Sequence, residues 1–368
     1  MAANKRPPSM HDVAKLAGVG LGTVSNALNY PEKVKPETLT KINKAIAKLG
    51  YIRNDAARQL KSGSSQSLGL ITPDSSNPFF AQLAAGAEDL AYEAGFAMTL
   101  ANSNGNPERE QRYLGIFEEQ RLSGILLSPT SEDLTNAKRL TSKGIRTVIV
   151  DRSVDAKDYC SVALDDVSGG RIAVEHLLQI GRRKIAFVGG PLDIRQVKDR
   201  LAGAKAAVRK VSGAKLEVLK TTSQTVFGGR AVGEQILAMA KADRPDAIFA
   251  ANDLIAVGLM QVFAFGNKIK VPGEIAMVGY DDIDFAEAAV VPLSSIRQPA
   301  EEIGASAMNL LLDEMNNPGG HRHRQVTFQP ELVIRASSAK ASEPTSTKGR
   351  LGMSCTMSAQ SRPMSNQA

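Results

Sequence analysis

The chain of 368 residues contains no tryptophan, 6 tyrosines, 11 phenylalanines, 2 cysteines and 4 histidines. With so few aromatic side chains, its core must be packed by Ala, Leu, Ile and Val, within a hydrophobic fraction of 43%. Cys160 lies in apolar surroundings and Cys355 in a polar stretch, so the pair makes no disulfide framework and fits a reducing cytoplasm. No apolar run reaches the roughly 20 residues that span a bilayer. The start of the chain lacks the apolar core of a secretory signal. Both point away from a membrane or exported protein. His321 and His323 follow Pro318-Gly319-Gly320 in a polar loop, which predicts solvated imidazoles rather than metal ligands. There is no G-x-S-x-G, no Walker-type phosphate loop and no metal-ligand spacing. The expectation is therefore a non-enzyme with no metal and no cofactor.

What is present is a strong asymmetry of charge. Residues 1–65 carry 11 Lys and Arg against 4 Asp and Glu, while residues 66–335 carry 30 against 33. A polyanion would be met by the first part, and the large remainder is near neutral.

That basic head is organised around Ser9 to Asn29, S-M-H-D-V-A-K-L-A-G-V-G-L-G-T-V-S-N-A-L-N. Ser9 and Asp12 have the spacing of a capping box. Val13, Leu16 and Ala17 then share a helical face. Gly18 breaks that helix, Val19 plugs the turn, and a second helix starts near Leu21 with Val24 and Leu28 inward. Pro36 suits the first position of a third helix, which runs to Leu49 with Leu39, Ile42, Ile46 and Leu49 as its apolar stripe. Helix, tight glycine turn and helix is the layout that puts the second helix into the DNA major groove. A nucleotide-binding reading of Gly18 to Gly22 would need a buried strand before it, and the preceding residues are polar and helical. A helical hairpin without a DNA role would not need the basic excess.

Residues 53–66 follow, with Asn54 placed to cap a short helix through Lys61 and linker composition from Gly63 to Ser67. A helix this short is unstable alone. It is either a tether or a hinge helix that wedges Leu60 into a minor-groove base step; spacing leaves both open.

From Ser67 short apolar runs alternate with amphipathic helices. Strands are expected at 68–71, 97–100, 124–127, 147–150, 161–164, 184–188, 247–250, 275–278 and 294–296. Helices are expected at stretches such as 79–94, 107–119, 168–180 and 253–265. This grammar predicts parallel sheets with helices on both faces, and its length fits two doubly wound lobes over residues 67–335. Ligands of such folds sit at the carboxyl ends of strands. The polar residues there are Asp74, Asp151, Asp165, Asn252-Asp253 and Asp281-Asp282, joined by Arg200 beyond Gly189-Gly190-Pro191 and by Phe79-Phe80. Carboxylates, amides, an arginine and aromatics suit a polyhydroxylated ligand. For any single Asp, a helix cap or turn is the ordinary alternative. Residues 336–368 are Ser-, Thr-, Lys- and Met-rich without periodicity, and are expected to be a disordered tail.

Over roughly residues 9–336 the chain resembles the LacI/GalR family of bacterial transcription regulators. The resemblance rests on D-V-A-K-L-A-G-V-x-x-x-T-V-S-x-x-L-N (12–29), N-P-F-F (77–80), F-A-A-N-D-x-x-A-x-G (249–258), V-G-Y-D-D (278–282) and S-S-I-R-Q-P (294–299). It implies an all-α helix-turn-helix head (9–52) on a body like periplasmic binding proteins, with two lobes, three crossovers and a small effector between the lobes. It also implies a homodimer or dimer of dimers on a pseudo-palindromic DNA operator. The tail lacks the leucine heptads of a coiled coil, which favours the dimer. By resemblance, Leu21, Gly22 and Asn26 read base edges, while Thr23, Ser25 and Asn29 contact the backbone. Leu60 is the hinge wedge and Ala57 its groove-facing neighbour. Phe79, Phe80, Arg200, Asn252 and Asp281 match effector contacts, with Asp74, Asp151 and Asp165 beside them.

The chain departs from that pattern in several places. Gly20 replaces the usual recognition-helix Ser cap, a loss of a few tenths of a kcal/mol. Leu21 and Gly22 offer no hydrogen bonds to bases, so direct readout rests on Asn26, suited to adenine, and on apolar contact with a thymine methyl. Arg53 stands where many members have Pro. The stretch 226–233 does not align with the usual cleft aromatic. The resemblance implies a cytoplasmic repressor with a sugar or sugar derivative as effector. The alternatives are a purine or nucleoside corepressor, or a free-standing sugar-binding protein or enzyme on the same fold.

Overall fold

The computed structural model describes residues 6–52, 65–265 and 268–339. The positions expected to form the hinge helix, Ala57 and Leu60 among them, lie outside the described residues, as does the tail from residue 340.

The head is three helices, α1 (Met10–Ala17), α2 (Leu21–Asn29) and α3 (Pro36–Leu49), with a 3-10 turn at Pro31–Lys33. Its core is Val13, Ala14, Val24, Ala27, Ile42 and Ala45, with Val19, Leu28, Leu39, Ile46 and Leu49 packed against them. Leu16 departs from expectation, being 44% exposed. The inward face of α1 is set by Val13, Ala14 and Ala17, and residue 16 lies off that stripe on a 3.6-residue period.

The described chain divides into two compact units, which exchange the backbone three times, after Leu164, Gln298 and Phe328. The first unit's sheet has strands β1 (Ser67–Thr72), β2 (Ala97–Asn102), β3 (Gly124–Leu127), β4 (Arg146–Val150), β5 (Cys160–Leu164) and β11 (Gln325–Phe328). Their order is β11-β5-β4-β3-β1-β2, and every pair is parallel. Its helices are α4 (Pro78–Glu93), α5 (Pro107–Glu119), α6 (Thr135–Ser142) and, after the second crossing, α12 (Ala300–Asn316).

Both faces of this sheet are covered, which is why β3 is buried at every residue. Ile125 and Leu127 pack with Leu114 and Phe117 of α5 and Leu140 of α6. On the other face a Cβ at Gly124 would meet Leu311 of α12. Alternation along one strand thus serves two layers of helices.

The second unit repeats the plan with β6 (Lys184–Gly189), β7 (Lys215–Lys220), β8 (Ala247–Ala250), β9 (Ala276–Asp281), β10 (Ser294–Arg297) and β12 (Glu331–Val333). The order is β12-β10-β9-β8-β6-β7, with β12 antiparallel to β10 and the rest parallel. Its helices are α7 (Asp166–Gln179), α8 (Arg195–Val208), α9 (Val226–Ala238), α10 (Asp253–Ala264) and the short α11 (Asp284–Glu287).

All nine expected strands are present. β7, β11 and β12 were not expected, and each is an edge strand whose exposed half carries Lys, Glu or Gln. The body also extends past Arg335. Ser337 and Ser338 are fully buried: the Ser294 amide donates to Ser337 Oγ at 2.8 Å, and Ser338 Oγ lies 2.7 Å from His176 Nε2. A serine-rich composition read as tail is here a set of buried hydroxyls, each with a partner.

Candidate DNA-contacting helix and effector site

The head presents α2 through its capping and core. Ser9 and Asp12 form the full capping box, the Ser9 amide donating to Asp12 Oδ2 at 2.8 Å and the Asp12 amide to Ser9 Oγ at 3.4 Å. The bond from Ser9 Oγ and that from its amide hold the Asp12 carboxyl below the usual carboxylate range. Gly18 ends α1 in the left-handed region at φ 67°, a conformation Gly adopts without penalty. Gly20 starts α2 with no side-chain cap.

Val24 and Ala27 point into the core. Leu28 packs against it, and the opposite side of α2 faces out. Leu21 is 37% exposed, Gly22, Asn26 and Asn29 are exposed, and Thr23 and Ser25 are half-buried. Asn29 Nδ2 donates to the Ser25 carbonyl at 2.7 Å, which joins two of the expected backbone contacts.

In the second unit the strand ends converge on Arg200. It is 4% exposed. A Cβ at Gly170 of α7 would collide with the Arg200 carbonyl, and one at Gly203 of α8 with the Val167 carbonyl. Glycine at both positions lets the two helices approach closely enough for Arg200 Nε to donate to Asp166 Oδ1 at 2.7 Å. Nη1 donates to the Ala251 carbonyl at 2.7 Å and lies 3.7 Å from Asp281 Oδ1. The guanidinium stacks 3.7 Å from the centre of the Tyr280 ring. Burial opposes its charge, but Asp166 and its other neighbours, Asp281 among them, outweigh burial and hold it more firmly protonated than a free arginine. Among the described residues nothing accepts a hydrogen bond from its Nη2.

Asp281 is buried at φ 104° and accepts from Gln298 Nε2 at 2.7 Å, while Gln298 Oε1 is buried without a hydrogen-bond partner. A left-handed, non-glycine residue held at a strand end is backbone strain of the kind found at functional sites. Asn252 and Asp165 take the ordinary alternative, since both cap helices. Asn252 Oδ1 accepts from the Ile255 amide at 2.9 Å while its Nδ2 donates to the Gln224 carbonyl at 3.0 Å. Asp165 Oδ1 accepts from the Ser168 amide at 2.9 Å.

In the first unit Asp74 folds its own turn, accepting from the amide and hydroxyl of Ser76 at 2.9 and 2.6 Å. Phe79 and Phe80 begin α4 with their rings edge to face, centroids 5.0 Å apart, and both are buried. They belong to the first unit's core rather than to an open aromatic wall. Asp151 follows β4, buried, at φ 60°. Beside it Arg152 donates to the Ser131 carbonyl at 2.5 Å and pairs with Glu132.

Two residues of the second unit, Asp166 and Gln298, were not among those selected from the sequence, and Asp253 was marked there only as a polar residue after a strand. Asp166 is the partner of Arg200, although it follows Asp165 directly. Asp253 is fully buried, accepting from the Ile283 amide at 3.0 Å and from Ser295 Oγ at 2.7 Å. Burial, reinforced by Asp281, pushes its carboxyl well above the usual range. Gln298 holds Asp281 from just past the end of β10. Its place after β8 was the signal that marked Asp253. Nothing local marked Gln298.

Comparison with known proteins bears on both regions. Residues 9–54 match the model of bacterial regulatory proteins of the lacI family, and residues 174–338 match a periplasmic binding protein-like domain. The ribose operon repressor of Escherichia coli (strain K12) is 31% identical over 331 residues, covering 89% of this chain and 99% of that protein. The chain belongs to the LacI family. The HTH-type transcriptional repressor PurR of Vibrio campbellii (strain ATCC BAA-1116) is 33% identical over 331 residues, 89% of this chain and 97% of that one. Among solved structures, the lac repressor dimer bound to operator and the anti-inducer ONPF superposes with a TM-score of 0.77 at 25% identity, covering 90% of this chain and 99% of that one. As a LacI-family member this chain is a DNA-binding transcriptional regulator. No described helix is long and apolar enough to cross a membrane.

Proposed function

We propose that this LacI-family chain is a cytoplasmic, non-enzymatic repressor that binds a pseudo-palindromic operator as a homodimer, and that a sugar or sugar derivative bound at the carboxyl ends of its sheet strands sets operator affinity. One observation carries the DNA reading. α2 buries Val24 and Ala27 and turns Leu21, Gly22 and Asn26 outward on a head with a large basic excess. Asn26 then makes the hydrogen-bonded base contact, Leu21 and Gly22 the apolar one, and Thr23, Ser25 and Asn29 position the helix on phosphates.

The sugar reading rests on the Arg200 fork with Asp281, which offers a charged donor and acceptor for neighbouring hydroxyls. Its coupling to DNA is a population shift. The effector favours one arrangement of the regulator, that arrangement sets whether the two hinge segments pair in the groove, and operator DNA must alter effector affinity by the same factor. Leu60→Ala is expected to weaken operator binding and reduce the DNA bend with effector affinity intact; an unchanged bend removes its wedge role.

A thermal melt against sugars, sugar phosphates and purines tests the effector class. A ligand at about 100 times its dissociation constant stabilises by roughly 2.7 kcal/mol, enough to move the midpoint by a few degrees. A hit confined to purines, the reading favoured by the likeness to PurR, replaces induction by corepression. A steep fall of DNA affinity with salt supports the operator-binding role; no DNA binding at low salt overturns it.

A further inference from the structure

The three side chains expected to be apart in apolar and solvated surroundings meet in the first unit. Cys160, His321 and His323 each offer one donor atom, and these atoms lie within 4.8 Å of one another. Cys160 is fully buried and the His321 side chain is 4% exposed. The encounter follows from topology. β11 pairs with β5 so that the Ser161 amide donates to the Arg324 carbonyl at 2.9 Å, which draws residues 321–324 alongside the first residue of β5.

We propose that Cys160, His321 and His323 form a binding site for a thiophilic divalent transition ion, with Zn2+ the ion that the donor set fits. One thiolate and two imidazoles are three of the four ligands of a tetrahedral zinc site, leaving the fourth position for water. Zinc bonds of about 2.3 Å to sulfur and about 2.0 Å to nitrogen place neighbouring donors roughly 3.5 Å apart. Cys160 Sγ lies 3.2 Å from His321 Nε2.

Two further observations point the same way. His321 Nδ1 lies 2.9 Å from Asp313 Oδ2. A proton on Nδ1 directed at that carboxylate leaves the Nε2 lone pair facing the sulfur, the arrangement in which a carboxylate orients a zinc-bound histidine. Arg324 holds both groups, donating its amide to Cys160 Sγ at 3.3 Å and its guanidinium to Asp313 at 3.0 Å. The second observation is His323 Nδ1, which is buried with no hydrogen-bond partner. A buried ring nitrogen without a partner is costly unless something ligates it.

The site is separate from the effector positions. Cys160 begins β5 and Asp165 follows its end, so these two residues are about 16 Å apart along the strand. An ion here ties the segment between α12 and β11 to the sheet.

The test uses the full-length protein, stripped of metal by chelation and titrated with Co2+ under reducing conditions. The expected result is one Co2+ per chain with a thiolate charge-transfer band, displaced by Zn2+, and a melting point raised by a few degrees when Zn2+ is present. Cys160→Ser removes the band, while Cys355→Ser leaves it. Because Cys160 is buried, two milder variants accompany it. His323→Ala weakens Co2+ binding at unchanged circular dichroism. Asp313→Ala, which removes the group that orients His321, weakens it by about 10–100-fold. Absence of a thiolate band, a band that survives Cys160→Ser, or affinity unchanged in both milder variants overturns the proposal.

Discussion

β4 and β9 hold the same place in their sheets, in the strand orders β5-β4-β3 and β10-β9-β8, and each has an aspartate with left-handed backbone at its carboxyl end, Asp151 just after β4 at φ 60° and Asp281 closing β9 at φ 104°. Their surroundings differ. Asp281 lies in a buried network of Arg200, Asp166, Gln298 and Tyr280, and the adjacent Asp282 is held by Arg297 at 2.8 Å and Arg335 at 2.5 Å. In the first unit Arg152, beside Asp151, pairs with Glu132, whose side chain is 70% exposed, and Asp74 closes only its own turn. The same backbone position is buried in both units, but the arginine beside it pairs with a buried acid in one and with an exposed one in the other. A polar residue after a strand marks a place where a ligand can be built, and its partners decide whether it serves the ligand or the fold.

Replacing the arginines gives the largest test of this contrast. Arg200→Ala leaves Asp166 and Asp281 buried without their cation and is expected to lower stability by about 3–5 kcal/mol, read by urea unfolding. Arg152→Ala should lose about 1–2 kcal/mol, because its carboxylate partner is already hydrated. Equal losses would break the contrast.

Asp253 sharpens it by pH. A carboxyl whose pKa is raised in the fold contributes stability that is complete while it is protonated in both states, and that is lost as pH rises through the folded value. Asp253→Asn keeps the shape and cannot ionise. Its melting point should therefore gain on the wild type from about pH 5 to about pH 8. A constant gap over that span would mean that Asp253 ionises in the fold as readily as in the unfolded chain.

The helix caps give the smallest and most controlled comparison. Asn252 is buried, caps α10 and also satisfies the Gln224 carbonyl. Asn252→Ala should cost about 2–3 kcal/mol. Asn106, exposed, caps α5 through the Glu108 and Arg109 amides at 2.8 and 3.0 Å; Asn106→Ala should cost about 1 kcal/mol. Urea midpoints of the two variants measure the difference directly.

The sheet strands were legible wherever both faces are covered, because β3, β5 and β8 are then continuous apolar runs. Edge strands such as Lys215–Lys220, K-L-E-V-L-K, bury one side and show charge on the other, so the run is broken. Arg200 and Asp281, which meet in the second unit, were selected from their place after glycines or a strand, as was Asp74, which folds its own turn. The same rule selected Asp165 and Asn252, which cap helices, and passed over Gln298, which lies just past β10 while the aspartate it holds ends β9.

Local chemistry sets what depends on neighbours within a few residues, and the sequence alone determines those features here: the capping box of Ser9 and Asp12, the breaks at Gly18 and Gly50, the helical and strand periods, and the short second helix in its basic setting. Pairings across long stretches of chain were decided only by the tertiary structure. Arg200 meets Asp166 across 34 residues, Asp253 meets Ser295 across 42, and Cys160 meets His321 across 161. Those contacts exist because parallel strand order and helix packing carry distant segments side by side, and no local period records which segments those are.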